Sequence, residues 1–143
     1  MSLVYFDSSA FIKLLIQEEG SDLAAEVWDA CDAALSSRLA YPEVCAALAA
    51  ARRSLIVDKG KLSEIEASWE EFWGTVRPVA VSCEVERTAG KFARRLLLRG
   101  ADSIHLASAL AVGKSHVIIA VWDRKLHDAA LEEGFRVVPA LIP

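Results

Sequence analysis

Ser2-Leu3-Val4-Tyr5-Phe6-Asp7 and Val117-Ile118-Ile119-Ala120-Val121-Trp122-Asp123 are the stretches whose reading decides the fold. Each is a short apolar run, rich in β-branched and aromatic residues, that ends on an aspartate. Runs without polar alternation read as strands covered on both faces, which is the habit of a parallel sheet. In open α/β sheets the ligand site lies just beyond the carboxyl ends of such strands. Carboxylates placed there on two different strands point to a shared site that holds a cation. Two further acids, Glu43 and Asp102, open helical segments and can face the same crevice.

Outward from these runs, strand and helix patterns alternate. The first strand covers about 3–7, followed by helices over 9–19 and 22–32 and a weak second strand over 33–37. Pro42 starts an Ala-rich helix reaching about residue 55, where its fixed φ is favourable. A helix over 60–73 carries Leu62, Ile65, Trp69, Phe72 and Trp73 on one face. The third strand is expected over 79–82, with helices over 84–98 and 102–112. A fourth strand over 117–122, a helix over 124–133 and a fifth strand over 136–138 complete the chain. Such alternation implies a parallel sheet with right-handed crossovers and helices on both faces. No repeat, low-complexity segment or linker interrupts residues 1–143, so a single domain is expected.

Hydrophobic residues make up 54% of the 143, and mean hydropathy is +0.30, which is apolar for a soluble protein. No apolar stretch approaches the ~18–20 residues needed to span a bilayer, and no basic region precedes the first apolar run. Neither membrane association nor a leader is therefore expected, and the surplus apolar surface is assigned to core and a protein interface. The net charge of −4 gives no bulk attraction for nucleic acid, so any such contact must be local. Cys31, Cys45 and Cys83 are odd in number and widely spaced, so neither a disulfide framework nor a zinc knuckle follows from them. A reduced, cytoplasmic setting follows as an expectation, with all three thiols behaving as small buried hydrophobes.

Each of the four acids also has a plain structural role. All fall at or near an expected helix start, where a carboxylate caps free N–H groups for about 0.5–2 kcal/mol. If they converge instead, repulsion is large: two unit charges ~4 Å apart repel by about 4 kcal/mol at an effective dielectric of ~20. Such a cluster must take up protons or bind a cation. An all-oxygen donor set suits Mg²⁺ or Mn²⁺ rather than Zn²⁺. A hard divalent ion so placed suits hydrolysis of a phosphodiester.

With these motifs in order, the chain resembles the PIN-domain ribonucleases. The resemblance is carried by Tyr5-Phe6-Asp7-Ser8-Ser9-Ala10, Tyr41-Pro42-Glu43, Ala101-Asp102-Ser103-Ile104-His105-Leu106-Ala107-Ser108-Ala109 and Trp122-Asp123-Arg124-Lys125-Leu126. Order, spacing and length are similar to those of the toxins of VapBC-type toxin–antitoxin pairs. The resemblance implies a three-layer α/β/α PIN-like domain with a five-stranded parallel sheet in order 3-2-1-4-5. It implies a Mg²⁺- or Mn²⁺-dependent endoribonuclease with Asp7, Glu43, Asp102 and Asp123 as the acidic quartet. Asp7, Asp102 and Asp123 would hold metal, Glu43 would position or deprotonate water, and Ser8 or Ser9 would support the site. It also implies a homodimer and a VapB-type antitoxin that blocks the site. Relatives often carry Thr or Ser two residues before the last aspartate, where this chain has Val121.

Around this quartet, Arg87, Lys91, Arg94 and Arg95 share one helix face, with Arg99 a turn further on and Arg38 past the second strand. They are candidates for holding RNA phosphates, the alternative being a solvated face. His105, one turn after Asp102, is expected to pack or hydrogen-bond rather than ligate. The aromatic stripe of the 60–73 helix reads as core, part of it facing a partner. A phosphoacceptor receiver domain needs Asp and Lys where this chain has Ser82 and Pro139, and a dehalogenase-type phosphatase needs a second acid where it has Ser9. The remaining alternative is a non-catalytic PIN-like module that binds RNA or protein through the same groove.

Overall fold

The computed structural model describes residues 2–54 and 56–143. Strand β1 (Leu3–Phe6) lies at the centre of a five-stranded sheet, with β2 (Ala33–Ser37) on one side and β4 (Val117–Ala120) on the other. Strands β3 (Arg77–Val79) and β5 (Arg136–Val138) form the edges, and every pairing is parallel. Tyr5 stands level with Leu35 on β2 and Ile119 on β4. The order β3-β2-β1-β4-β5 places a topological switch point between β1 and β4, the two strands that carry the aspartate-terminated runs.

Side-chain alternation along these strands builds the three layers. Tyr5, Val117, Ile119 and Val121 point to one face, against α5 (Cys83–Leu96), α6 (Gly100–Val112) and α7 (Arg124–Glu132). Val4, Phe6, Ala34 and Ala120 point to the other, against α1 (Ser8–Leu15), α2 (Ser21–Ala30), α3 (Ala40–Arg53) and α4 (Lys59–Thr75). The first layer is largely aliphatic. The second is aromatic: Phe11 stacks on Phe6 with centroids 5.6 Å apart and meets Trp69 edge-on at 5.0 Å. Pairs of this geometry add about 0.5–1.5 kcal/mol beyond the area they bury. Ile65 and Trp69 of the aromatic stripe are core residues, while Leu62, Phe72 and Trp73 are half-buried against them.

Several boundaries differ from expectation for identifiable reasons. Strand β3 covers Arg77–Val79 rather than 79–82. Pro78 is tolerated because β3 is an edge strand, and Ser82 belongs to the next helix, its side chain accepting from the Val85 N–H at 3.1 Å. Helix α1 stops at Leu15 rather than 19, as Ile16 turns extended. Gly20 then adopts φ 93°, and a Cβ there would come within 2.5 Å of the Trp122 indole nitrogen, so glycine is required twice over. Helices α3 and α6 each begin two residues early, which moves Glu43 and Asp102 inside the first turn. The expected end of α3 at residue 55 lies outside the described residues.

The cysteines correct a second expectation. Cys45 and Cys83 are exposed and Cys31 is half-buried, so none is a core residue. Cys45 follows Val44, which with Leu48 and Ala51 forms the inward stripe of α3; the next position necessarily faces out. Among the described residues no helix is long and apolar enough to cross a membrane.

Candidate active site

The cleft lies at the carboxyl edge of β1 and β4. The Asp7 N–H donates to the Ala120 carbonyl at 3.3 Å, the last tie between the two strands before both chains leave the sheet. Asp7 then caps α1, its Oδ1 accepting from the Ala10 N–H at 3.0 Å and from the Ser9 hydroxyl at 2.6 Å. Ser9 Oγ in turn accepts from the Trp122 N–H at 2.9 Å, so one hydroxyl joins the end of β1 to the segment after β4. Asp123 caps α7 through Oδ2, 3.0 Å from the Leu126 N–H. Both cap roles are therefore real, and each uses one carboxylate oxygen.

Asp102 enters from the first turn of α6 and Glu43 from the first turn of α3, on the opposite face of the sheet. Asp7, Glu43, Asp102 and Asp123 all line a single cleft of about 510 Å³, together with Ser8, Ser9 and Arg99. Four acids separated by up to 116 positions in sequence thus share one pocket. Local caps and a common site are not alternatives here, since Asp7 and Asp123 each cap a helix and line the shared cleft.

Charge in this pocket is held at a cost. Burial pushes the Asp7 carboxyl up to about 6, the negative charge of Asp123 adds to the shift, and the hydrogen bonds from Ser9 and the Ala10 N–H oppose it. Asp102 is also raised, first by burial and then by Asp123, against the pull of Arg99. Arg99 supplies the local counter-charge: its Nε lies 3.4 Å from Asp102 Oδ2 and its Nη2 3.9 Å from Asp123 Oδ1. Its side chain is 74% exposed, so the attraction is weak and screened.

Every acidic donor in the cleft is a carboxylate oxygen. Among the described residues no group of three or more His, Cys, Asp or Glu side chains is placed to hold a metal ion as it stands. An open set of carboxylates fits a hard ion that keeps several of its waters better than one fully enclosed by protein. Glu43 is held differently. Its Oε1 lies 2.6 Å from Nε2 of His105, whose Nδ1 is 2.7 Å from the Tyr5 hydroxyl.

Of the basic candidates, none of Arg38, Arg87, Lys91, Arg94 or Arg95 lines the cleft; Arg99 does. Arg87 pairs with its neighbour Glu86, and Arg95 is engaged 2.5 Å from Glu133. Lys91 and Arg94 are exposed on α5, and Arg38 is exposed just past β2. Arg99 stands at the N-cap position of α6 rather than on the α5 face. Its three-residue spacing from Asp102 was the available sequence signal. Val121 is fully buried in the aliphatic layer, and the hydroxyl beside the strand end comes from Ser9 instead.

Comparison with known proteins identifies the family. A PIN domain model matches residues 4–131, and the chain belongs to the PIN-domain family. Two relatives named ribonuclease VapC45 and ribonuclease VapC49, both from Mycobacterium tuberculosis strains, are each 59% identical over 140 residues, spanning 98% of this chain and 97% of theirs. In fold, the chain is similar to the crystal structure of VapBC2 from Rickettsia felis bound to a DNA fragment from their promoter. That match has a TM-score of 0.66 at 9% identity and covers 94% of this chain and 96% of the other.

Proposed function

We propose that this protein is a Mg²⁺- or Mn²⁺-dependent endoribonuclease, the toxin of a type II toxin–antitoxin pair, acting in the cytoplasm as a single PIN domain over residues 1–143. It is a hydrolytic nuclease of the VapC kind, a conclusion supported by 59% identity to named VapC ribonucleases along nearly the whole chain. The observation that carries the site assignment is the convergence of four carboxylates at the switch point of the sheet.

In this reading Asp7, Asp102 and Asp123 hold the ion, directly or through water. A divalent ion bound there would neutralise charge on the scissile phosphate and make a water acidic enough to attack at neutral pH. Glu43 orients the attacking water and accepts its proton. Ser9 keeps Asp7 pointing into the cleft, while Ser8 borders the same space. Arg99, which lies beside Asp102 and Asp123, would be free to meet a phosphate oxygen if a cation neutralised those aspartates. Arg38, Arg87, Lys91, Arg94 and Arg95 would act further out, as the surface along which RNA is drawn.

The partners proposed are an RNA substrate, a cognate VapB-type antitoxin and a second copy of the chain in a homodimer. Named toxin–antitoxin complexes among proteins of the same fold support the antitoxin. A non-catalytic binding module is disfavoured by the retention of all four acids, two of them with raised pKa values that a mere binding groove has no need to sustain. Incubation of the purified protein with structured RNAs tests the proposal. Cleavage is expected with Mg²⁺ or Mn²⁺, and none with EDTA or in Asp7→Asn; metal-independent cleavage, or full activity in Asp7→Asn, contradicts it.

A further inference from the structure

Behind Glu43 runs a chain of hydrogen bonds that crosses the sheet. The Ser37 N–H, at the end of β2, donates to the Tyr5 hydroxyl oxygen at 3.0 Å. Tyr5 lies 2.7 Å from His105 Nδ1, and His105 Nε2 lies 2.6 Å from Glu43 Oε1. Four elements contribute: β2, β1, α6 and α3. Tyr5 is fully buried and His105 is 2% exposed, so water does not stand in for any of these partners.

The chemistry of the groups gives the chain a direction. An ionised carboxylate only accepts, so Nε2 must carry the proton. A neutral imidazole then presents Nδ1 as an acceptor, which the single Tyr5 proton fills. The phenol oxygen keeps a lone pair for the Ser37 N–H. Each donor and acceptor is used once, with no proton left over.

We infer that Tyr5 and His105 are positioning residues for the reaction, fixing His105 as its neutral Nε2–H tautomer so that it grips one oxygen of Glu43 and aims the other at the attacking water. Among the described residues, Oε2 of Glu43 accepts no protein hydrogen bond, although Glu43 borders the cleft. A flexible glutamate at a helix start has three side-chain torsions to restrain, and one neutral donor on a buried ring restrains them without adding charge. A protonated His105 would instead present a second N–H to Tyr5, and the phenol proton would lose the ring nitrogen as its acceptor. This inference rests on the proposed role of Glu43.

The test compares Tyr5→Phe, His105→Leu, His105→Gln and Glu43→Gln in single-turnover RNA cleavage, with Mn²⁺ affinity measured separately and side-chain ¹⁵N NMR of His105 in the metal-free protein. Thermal melts establish that each variant folds. Expected are a neutral Nε2–H tautomer in the parent chain and tautomer mixing in Tyr5→Phe. Cleavage should fall about 10–100-fold in Tyr5→Phe and His105→Leu, with Mn²⁺ affinity and the RNA concentration dependence unchanged. His105→Gln, whose amide can donate to Glu43, should recover part of the loss. An Nδ1–H or doubly protonated ring in the parent chain overturns the inference even if a variant fails to fold. Normal cleavage in Tyr5→Phe and His105→Leu beside an inactive Glu43→Gln also overturns it. Normal cleavage in Glu43→Gln itself would instead sink the catalytic reading on which it rests.

Discussion

The two sides of the cleft hold their carboxylates by opposite means. On one side, Asp7, Asp102 and Asp123 line one cleft, with burial raising the first two and the exposed guanidinium of Arg99 beside Asp102 and Asp123. On the other, Glu43 stands against a buried, uncharged hydrogen-bond chain through His105 and Tyr5. The aspartate side is under electrostatic tension that a divalent ion relieves. On the glutamate side one carboxylate oxygen is already held by His105, so its geometry does not depend on an ion. In the proposed reading, ion binding and water activation fall to different groups that can be perturbed separately.

The sharpest way to break this division is to neutralise one acid on each side. Glu43→Gln should lower cleavage by about 10²–10⁴-fold, the usual range for losing a general base, while leaving Mn²⁺ affinity close to that of the parent chain. Asp7→Asn should abolish both, as read by single-turnover rates and calorimetry. If the two variants lose metal equally, the sides are not distinct.

Next in size is the effect of pH on stability. The folded Asp7 pKa of about 6 lies above its ordinary 3.8, so between these values the folded chain binds more protons than the unfolded one. Unfolding free energy should therefore fall as pH rises from about 4 to about 6, by up to about 3 kcal/mol from this group, and level off above. The stabilising contribution is complete below pH 4. Urea titrations of metal-free protein across this window should show the decline, and Asp7→Asn should remove most of it. Mn²⁺ affinity should rise over the same window, because the ion and the proton compete for one carboxylate.

Smaller effects belong to the arginines. Arg99→Ala removes the intrinsic counter-ion and should raise Mn²⁺ affinity by up to about fivefold, in keeping with an exposed ion pair. Its RNA affinity should fall at the same time. Charge reversal at Arg94 and Arg95 should weaken RNA binding modestly, and only at low salt, because neither residue lines the cleft.

The parts of this molecule that were legible in sequence are those governed by local pattern. The runs ending at Asp7 and Asp123 mark β1 and the neighbourhood of β4, and the strand–helix alternation implies the parallel sheet. The inward stripe Val44, Leu48 and Ala51 even contains the information that Cys45 is exposed, which a general tendency of thiols to be buried overrode. Strand β3 begins two residues before the expected 79 and includes Pro78, whose tolerance depends on β3 being an edge, a property of the assembled sheet. The Glu43–His105 bond was out of reach for the same reason: it joins helices on opposite faces, 62 positions apart, across the sheet edge. Arg99 lay between these cases, visible by its spacing from Asp102 but assigned to the neighbouring helix.

The central claim is that Asp7 and its neighbours form one cation site. Calorimetric titration of metal-free protein with Mn²⁺ at pH 7, beside Asp7→Asn under the same conditions, tests it most directly. A saturable binding event in the parent chain that disappears in Asp7→Asn is the expected result; binding of equal affinity in both proteins would contradict it.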